Sequence, residues 1–216
     1  MKKLTVLIIA LMLAASGLFA QTQAVVKQLS GKVEVKGPGA AVWVPARVGQ
    51  ALAKGSFIST GFNATAVLAL GASVLSVKPL TRMKLEELIA REGTVSTSLF
   101  LQVGKVNAAV KSAEGLKQDF TVKSPVSTAA VRGTEFEFDG LTVKVINGLV
   151  YFSNNLGQSR GVAQGEQSST TGAAPPTGGD QENRDATAVA PYVGSAGGLS
   201  AAGTSAPGTA TVIVSW

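Results

Sequence analysis

The groups available for chemistry in this 216-residue chain are few: 19 Lys and Arg, 13 Asp and Glu, no His and no Cys. Without His there is no imidazole base and no Ser-His-Asp triad. Without Cys there is no thiolate nucleophile, thiolate zinc site, iron–sulfur cluster or disulfide. Carboxylates remain. Glu135, Glu137 and Asp139 alternate, so they share one face of a strand, and paired carboxylates at separations of about 5–10 Å can hydrolyse glycosides. An isolated acidic strand face is more commonly solvated surface, and Glu86-Glu87 reads the same way. Asp180, Glu182 and Asp185 lack the D-x-D-x-D-G spacing of a calcium loop. The stretch Gly194–Gly198 neither follows a strand nor precedes the G-K-[ST] of a phosphate loop. No catalytic residue, metal ligand or cofactor is assigned. Trp43 has two readings, a core residue near a strand start or a platform for a sugar ring.

The elements that position these residues read as short strands punctuated by Gly and Pro. Val33 and Val35 alternate with polar neighbours, as do Phe136 and Phe138, and then Leu141, Val143 and Val145 after a turn at Gly140. Leu68 and Leu70 lead through Gly71 to Val74, Leu75 and Val77. Asn147-Gly148 before Leu149-Val-Tyr-Phe152 is the strongest local hairpin signal. Period-2 alternation implies strands with one packed and one wet face, hence an all-β domain of many short strands. One segment conflicts with this. Leu80–Arg91 is rich in helix formers with Leu85, Leu88 and Ile89 at helical spacing, yet Thr81, Met83 and Leu85 also alternate. A strand over 81–87 is the expectation, because a lone helix would need a sheet face to cover.

Met1-Lys2-Lys3, an apolar run from Leu4 to Leu18 and Phe19-Ala20-Gln21 describe a signal peptide cleaved after Ala20. A retained anchor is the alternative. Residues 1–20 are thus expected to direct export to the periplasm or the exterior, leaving no membrane span after cleavage. Losing Lys2 and Lys3 leaves 17 basic and 13 acidic residues, a net charge of +4. These charges are scattered rather than concentrated, which argues against nucleic acid as a partner. Residues 21–167 form the expected β domain. From 168 to 216, 35 of 49 residues are Gly, Ala, Ser, Thr or Pro, too little apolar area to offset ordering entropy, so a flexible tail is expected. It ends in the β-prone Thr211-Val-Ile-Val-Ser-Trp216, which suits docking onto the domain or pairing with a partner's edge.

The most specific stretch is Ser124-Pro-Val-Ser-Thr-Ala-Ala-Val-Arg-Gly-Thr-Glu-Phe-Glu-Phe138. It resembles the core V-R-G-T-x-F motif of the FecR-type domain, named for the iron-dicitrate regulatory sensor. Gly31-Lys-Val33, Trp43, Gly49, Leu52, Gly55, Ile58-Ser-Thr60-Gly61, Ala66–Gly71 with Ser73, and Pro79-x-Thr81 match upstream. Gly148-Leu-Val150 and Gly165-Glu166 match downstream. The resemblance covers roughly residues 30–167. Ser56 stands where the family often has Asp, and Leu70-Gly71-Ala72-Ser73 where it often has D-G-S, so any role of those loop acids is lost here.

The resemblance implies a β-rich fold, partly solenoid-like or sandwich-like. Classical members place this domain in the periplasm behind a membrane span and a cytoplasmic anti-sigma segment, whereas this chain looks like a stand-alone exported version. Arg132, Gly133, Thr134 and Phe136 are the motif residues of interest. Gly133 permits a backbone shape or close approach that a Cβ would block. Arg132 is expected to be a buried staple, with anion recognition as the alternative. The functional expectation is a non-enzymatic binding or scaffold module of the cell envelope, engaging a protein or polysaccharide. Its alternatives are the periplasmic sensor arm of a signalling complex and a carboxylate-based hydrolase.

Overall fold

The computed structural model describes residues 23–178 apart from 92 and 113–114. The expected signal peptide (1–20), the acidic trio at 180–185 and the terminal apolar segment (211–216) lie outside the described residues. The alternating stretches form strands β1 (Ala24–Ser30), β2 (Val33–Lys36), β3 (Val44–Pro45), β4 (Ala51–Leu52), β5 (Phe57–Thr60) and β6 (Thr65–Leu70). Then come β7 (Ser73–Val77), β8 (Arg82–Arg91), β9 (Thr94–Val103), β10 (Val106–Ala109) and β11 (Lys117–Lys123). The last are β12 (Ser127–Val131), β13 (Glu135–Phe138), β14 (Thr142–Asn147), β15 (Leu149–Asn154), β16 (Ser159–Ala163) and β17 (Gln167–Ser169). Among the described residues there is no helix, so none that is long and apolar enough to cross a membrane.

The strands make two sheets. One has eight strands in the order β17-β14-β13-β10-β7-β6-β1-β4, the other nine in the order β16-β15-β12-β11-β9-β8-β5-β2-β3. Both orders run nearly monotonically along the chain. The polypeptide therefore passes back and forth between the sheets while advancing along them, a flattened roll that is solenoid-like in its winding and sandwich-like in section. Strands β9 and β11 pair in parallel, because β10 between them crosses to the opposite sheet and supplies the crossover that a parallel pair needs.

Inward-facing residues of both sheets merge into one core. Leu68, Leu70, Leu75, Val106, Phe136, Phe138, Val143 and Val145 come from the eight-stranded sheet; Ile58, Met83, Leu85, Leu99, Leu101, Phe120, Val122, Val150 and Phe152 come from the other. Two edge-to-face pairs join the layers, Phe120 with Phe136 at 6.4 Å and Phe138 with Phe152 at 6.3 Å. Such pairs add about 0.5–1.5 kcal/mol each beyond area burial. Among the described residues no buried side-chain nitrogen or oxygen lacks a hydrogen-bond partner.

The corners between sheets are tied by hydroxyls. Thr81 Oγ1 donates to the Lys105 carbonyl at 3.1 Å and accepts from the Lys105 N–H at 3.0 Å, while Thr60 Oγ1 donates to the Lys78 carbonyl at 2.6 Å and accepts from the Thr81 N–H at 3.0 Å. Gly104, at φ +97°, lies so close to Thr81 that a Cβ would overlap its Cα and Oγ1. On the opposite side Ser73 Oγ donates to the Lys111 carbonyl at 3.3 Å and accepts from the Lys111 N–H at 3.2 Å.

One expectation holds and two change. Residues 82–91 are a strand, as the alternation suggested, and their helical spacing comes from a bulge. Pairing with β9 skips Glu86, so Leu85 faces Leu99 and Leu88 faces Thr97. The extra residue shifts the pleat, and two core-facing leucines fall three positions apart. Asn147-Gly148 is not a hairpin turn: β14 belongs to the eight-stranded sheet and β15 to the nine-stranded one, so Gly148 turns a corner between layers. The domain also continues past 167. β17 pairs with β14, Thr170 N–H donates to the Leu141 carbonyl at 2.9 Å, Ser168 Oγ donates to Thr177 O at 2.7 Å and Asn154 Nδ2 donates to Ala174 O at 3.1 Å. Polar ties, not apolar area, order 168–178, which is why composition placed the boundary too early.

Gly104→Ala is expected to cost about 2–5 kcal/mol, since the new methyl overpacks the backbone at positive φ. Gly133→Ala, at φ +70° but with open space around its Cβ position, is expected to cost only about 1–2 kcal/mol. Thermal melts followed by circular dichroism compare them, and equal losses would contradict the corner interlock.

Candidate binding surface

The V-R-G-T-x-F motif spans the end of β12, a corner and the start of β13, where the chain leaves the nine-stranded sheet for the other. Gly133 has no atom within 4 Å of its Cβ position; it is there for its left-handed backbone, not for a close approach. Thr134 is buried, donates from Oγ1 to the Leu149 carbonyl at 2.9 Å, and its backbone carbonyl accepts the Val110 N–H at 2.9 Å. A Cβ on Gly148 would sit 3.0 Å from Thr134 Oγ1, so this second glycine is required for room as well as for φ. Phe136 is fully buried. Three motif residues thus build scaffold.

Arg132 does not. Its side chain is 76% exposed and its Nε donates to Asp119 Oδ1 at 2.6 Å. The expected buried staple is replaced by a surface ion pair, because Ser127, Ala129 and Val131 take the inward positions of β12 and the residue after them points outward. Arg132 borders an open depression of about 620 Å³ with Asp119, Leu149 and Tyr151.

The denser constellation lies on the outer face of the nine-stranded sheet. Register places Lys36 opposite Phe57, Phe57 opposite Lys84, Lys84 opposite Phe100 and Phe100 opposite Lys123. The row crosses five neighbouring strands with cations and rings alternating, and its cations recur every second strand, about 10 Å apart. Trp43 is half-buried on this face and meets Phe57 edge-on at 6.3 Å. Lys36 lies over the Trp43 and Phe57 rings at 5.4 and 4.9 Å, Arg82 over Trp43 at 5.4 Å and Lys84 over Phe57 at 5.6 Å. Trp43 is therefore not a core residue. β3 is only two residues long and ends in Pro45, so the alternation that aims side chains inward is broken there. Among the described residues Lys36, Arg82 and Lys84 have no ion-pair partner. Glu34, the acid nearest in register, is taken by Lys32 at 3.3 Å, and Glu86 by Lys123 at 3.4 Å. Sequence reasoning missed this row because its members are far apart in the chain; only cross-strand register assembles them.

The acidic trio behaves otherwise. Asp139 Oδ1 accepts the N–H groups of Leu141 and Thr142 at 3.0 and 2.8 Å, serving the β13–β14 turn. Glu137 accepts from Lys105 Nζ at 2.6 Å, and this hydrogen bond holds its carboxyl below the ordinary carboxylate value against opposing desolvation. The same bond raises the Lys105 ammonium. A general acid needs the opposite shift. These two acids line a depression of only about 200 Å³, shared with Lys105 and Lys144.

Alanine at Arg132 is expected to cost under about 1 kcal/mol, as for an exposed ion pair. Thr134→Val should cost about 1–3 kcal/mol and Phe136→Ala about 3–5 kcal/mol; urea unfolding measures the series. Glu137 stabilises above the ordinary carboxylate pKa, and that contribution disappears as pH falls through its lowered folded value. Glu137→Gln should therefore flatten the acid limb of stability by at most about 1 kcal/mol, the pair being partly exposed, as read from melting temperature between neutral pH and pH 3.

Residues 56–151 match the family model described as FecR protein. No curated protein matches the chain. Two crystal structures of a protein from Parabacteroides distasonis ATCC 8503, described as an anti-sigma factor, align at 18% identity with a TM-score of 0.45, covering 56% of this chain and 58% of theirs. This chain thus spans less than two thirds of that relative's length. The chain carries a FecR domain, whose matched residues run from just before β5 into β15 and supply the middle strands of both sheets.

Proposed function

We propose that this protein is a non-enzymatic, exported FecR-domain module that serves as the recognition arm of an envelope signalling assembly, relaying through a protein partner. The observation that carries this reading is the FecR match over 56–151, in a domain whose signature residues Gly133, Thr134 and Phe136 are spent on corners and core. Recognition then falls to its exposed surfaces. Export to the periplasm or exterior rests on the charged, apolar and small-residue order of residues 1–21.

A partner-facing surface is supported by one side of the roll. Phe62, Leu80, Val103 and Leu141 are 78%, 57%, 59% and 51% exposed, and they sit on corners tied to one another. Leu80 N–H donates to Gly61 O at 3.2 Å and Lys78 N–H to Lys105 O at 3.0 Å, while Val103 and Leu141 line one depression. Leu80 has φ +54°, a conformation costly for a bulky side chain. The corner thereby holds an apolar side chain in water where Gly or Asn would be less strained.

A photo-crosslinking residue at Leu80 or Phe62 in the native envelope is expected to capture a defined protein. The same residue at Ser76, on the outer face of the eight-stranded sheet, is expected to capture none. Mass spectrometry of the captured chain should give an N-terminus at Gln21. An N-terminus at Met1 would refute cleavage, and equal labelling from all three positions would refute the partner surface.

A further inference from the structure

Resting on the reading that this domain works by surface recognition, we infer that the outer face of the nine-stranded sheet binds an extended anionic polysaccharide, one bearing carboxylates on alternate sugars. Three features select that chemistry. First, Lys36, Arg82 and Lys84 lack ion-pair partners among the described residues, while Glu34 and Glu86 are already neutralised by Lys32 and Lys123, leaving Glu87 as a single nearby acid against three cations. The face has cationic valence to spare. Second, the rings of Trp43 and Phe57 sit between these cations, and sugar rings stack their C–H faces on aromatic surfaces as nucleobases or aliphatic chains do. Third, cation and ring alternate strand by strand along Lys36–Phe57–Lys84–Phe100. The resulting cation repeat of about 10 Å, two strand spacings, is that of a charged–neutral disaccharide in an extended β-linked chain.

Other polyanions fit less well. A nucleic acid carries a phosphate on every nucleotide, denser than one cation per two strands. An acidic peptide would gain most from pairing along a free sheet edge, and the nearby edge strand β3 is two residues long and contains Pro45. The planar fork of Arg82 suits a carboxylate, which it can hold through two parallel hydrogen bonds. In the free protein the lysines lie on the ring faces. These contacts are exposed and weak, so the ammonium groups can lift away to meet carboxylates while the uncovered rings receive sugar.

The test is calorimetric titration of the full exported chain with a hyaluronan hexamer (alternating glucuronic acid and N-acetylglucosamine, β-linked), its fully methyl-esterified neutral counterpart and a single-stranded thymidine oligonucleotide. A parallel readout is Trp43 fluorescence in a Trp216→Phe background, which leaves Trp43 as the reporter among the chain's 2 tryptophans. The charged hexamer is expected to bind and perturb Trp43. Arg82→Gln and Lys84→Gln should each weaken it about five-fold, the scale of one exposed charged contact. Trp43→Ala should abolish binding at unchanged melting temperature, and Trp43→Phe should largely retain it. Equal affinity for the neutral hexamer or the oligonucleotide, or binding indifferent to Trp43→Ala, would overturn the inference. A chain that crosslinks its partner at Leu80 yet ignores the hexamer removes the polysaccharide and leaves the signalling role; hexamer binding without a crosslink does the reverse.

Discussion

The interlock of a hydroxyl side chain with a glycine at successive corners is the constraint on which this fold depends. Each time the chain passes from one sheet to the other it exposes backbone groups that no ladder can satisfy, and at Thr81, Thr134 and Ser73 a short hydroxyl supplies the missing partner. The bond forms only if the neighbouring corner comes within reach. That requires a residue without a Cβ at Gly104, where Thr81 occupies the space a side chain would need, and at Gly148 beside Thr134. At these two corners threonine provides the donor and glycine the proximity. Buried backbone polar groups must be paired, so the corners determine where successive turns of the roll sit.

Fixed corners have consequences for the sheets. A slip of one residue would turn every core side chain outward, and corners tied at both ends of a strand prevent it. They also coexist with local irregularity: β8 absorbs the extra Glu86 as a bulge while Thr81 pins the corner before it. The roll must stop somewhere, and its ends are blunted. β3 and β4 are two residues long, β17 is three, and the segment after β17 folds back through Ser168, Thr170 and Thr177. Short or covered edges are how sheets avoid pairing with strangers.

The sequence made the strands legible wherever one face was apolar and the other polar, as in Phe136 and Phe138 or Val143 and Val145. Thr134 and Gly133 were conspicuous as a motif, and that motif identified the family correctly. What local pattern cannot express is which layer a strand joins. Asn147-Gly148 has the composition of a hairpin turn, yet β15 departs into the other sheet because Gly148 packs on Thr134, fourteen positions back. Leu85 and Leu88 mimic a helix because a bulge and a helical turn both bring residues three apart onto one face. Arg132 was misjudged from its donor count; burial is decided by the inward turn of Val131 beside it. The tail boundary failed for a related reason, since residues 168–178 are held by hydroxyls and amides rather than by apolar area.

Among the described residues, the roll with its filled core presents faces and corners to solvent. Chemistry by paired carboxylates needs a site that excludes water and separates two pKa values. Of the alternating acids, Asp139 serves a turn and Glu137 an ion pair. Recognition has no such requirement. A flat sheet face displays one side chain every two residues along each strand and one every 4.8 Å or so across strands, and the corners hold that lattice rigid. The backbone positions of Phe57, Lys36 and Lys84 are thereby set at repeat distances across the face. The same Thr–Gly corners that keep the core shut hold the outer surface in register.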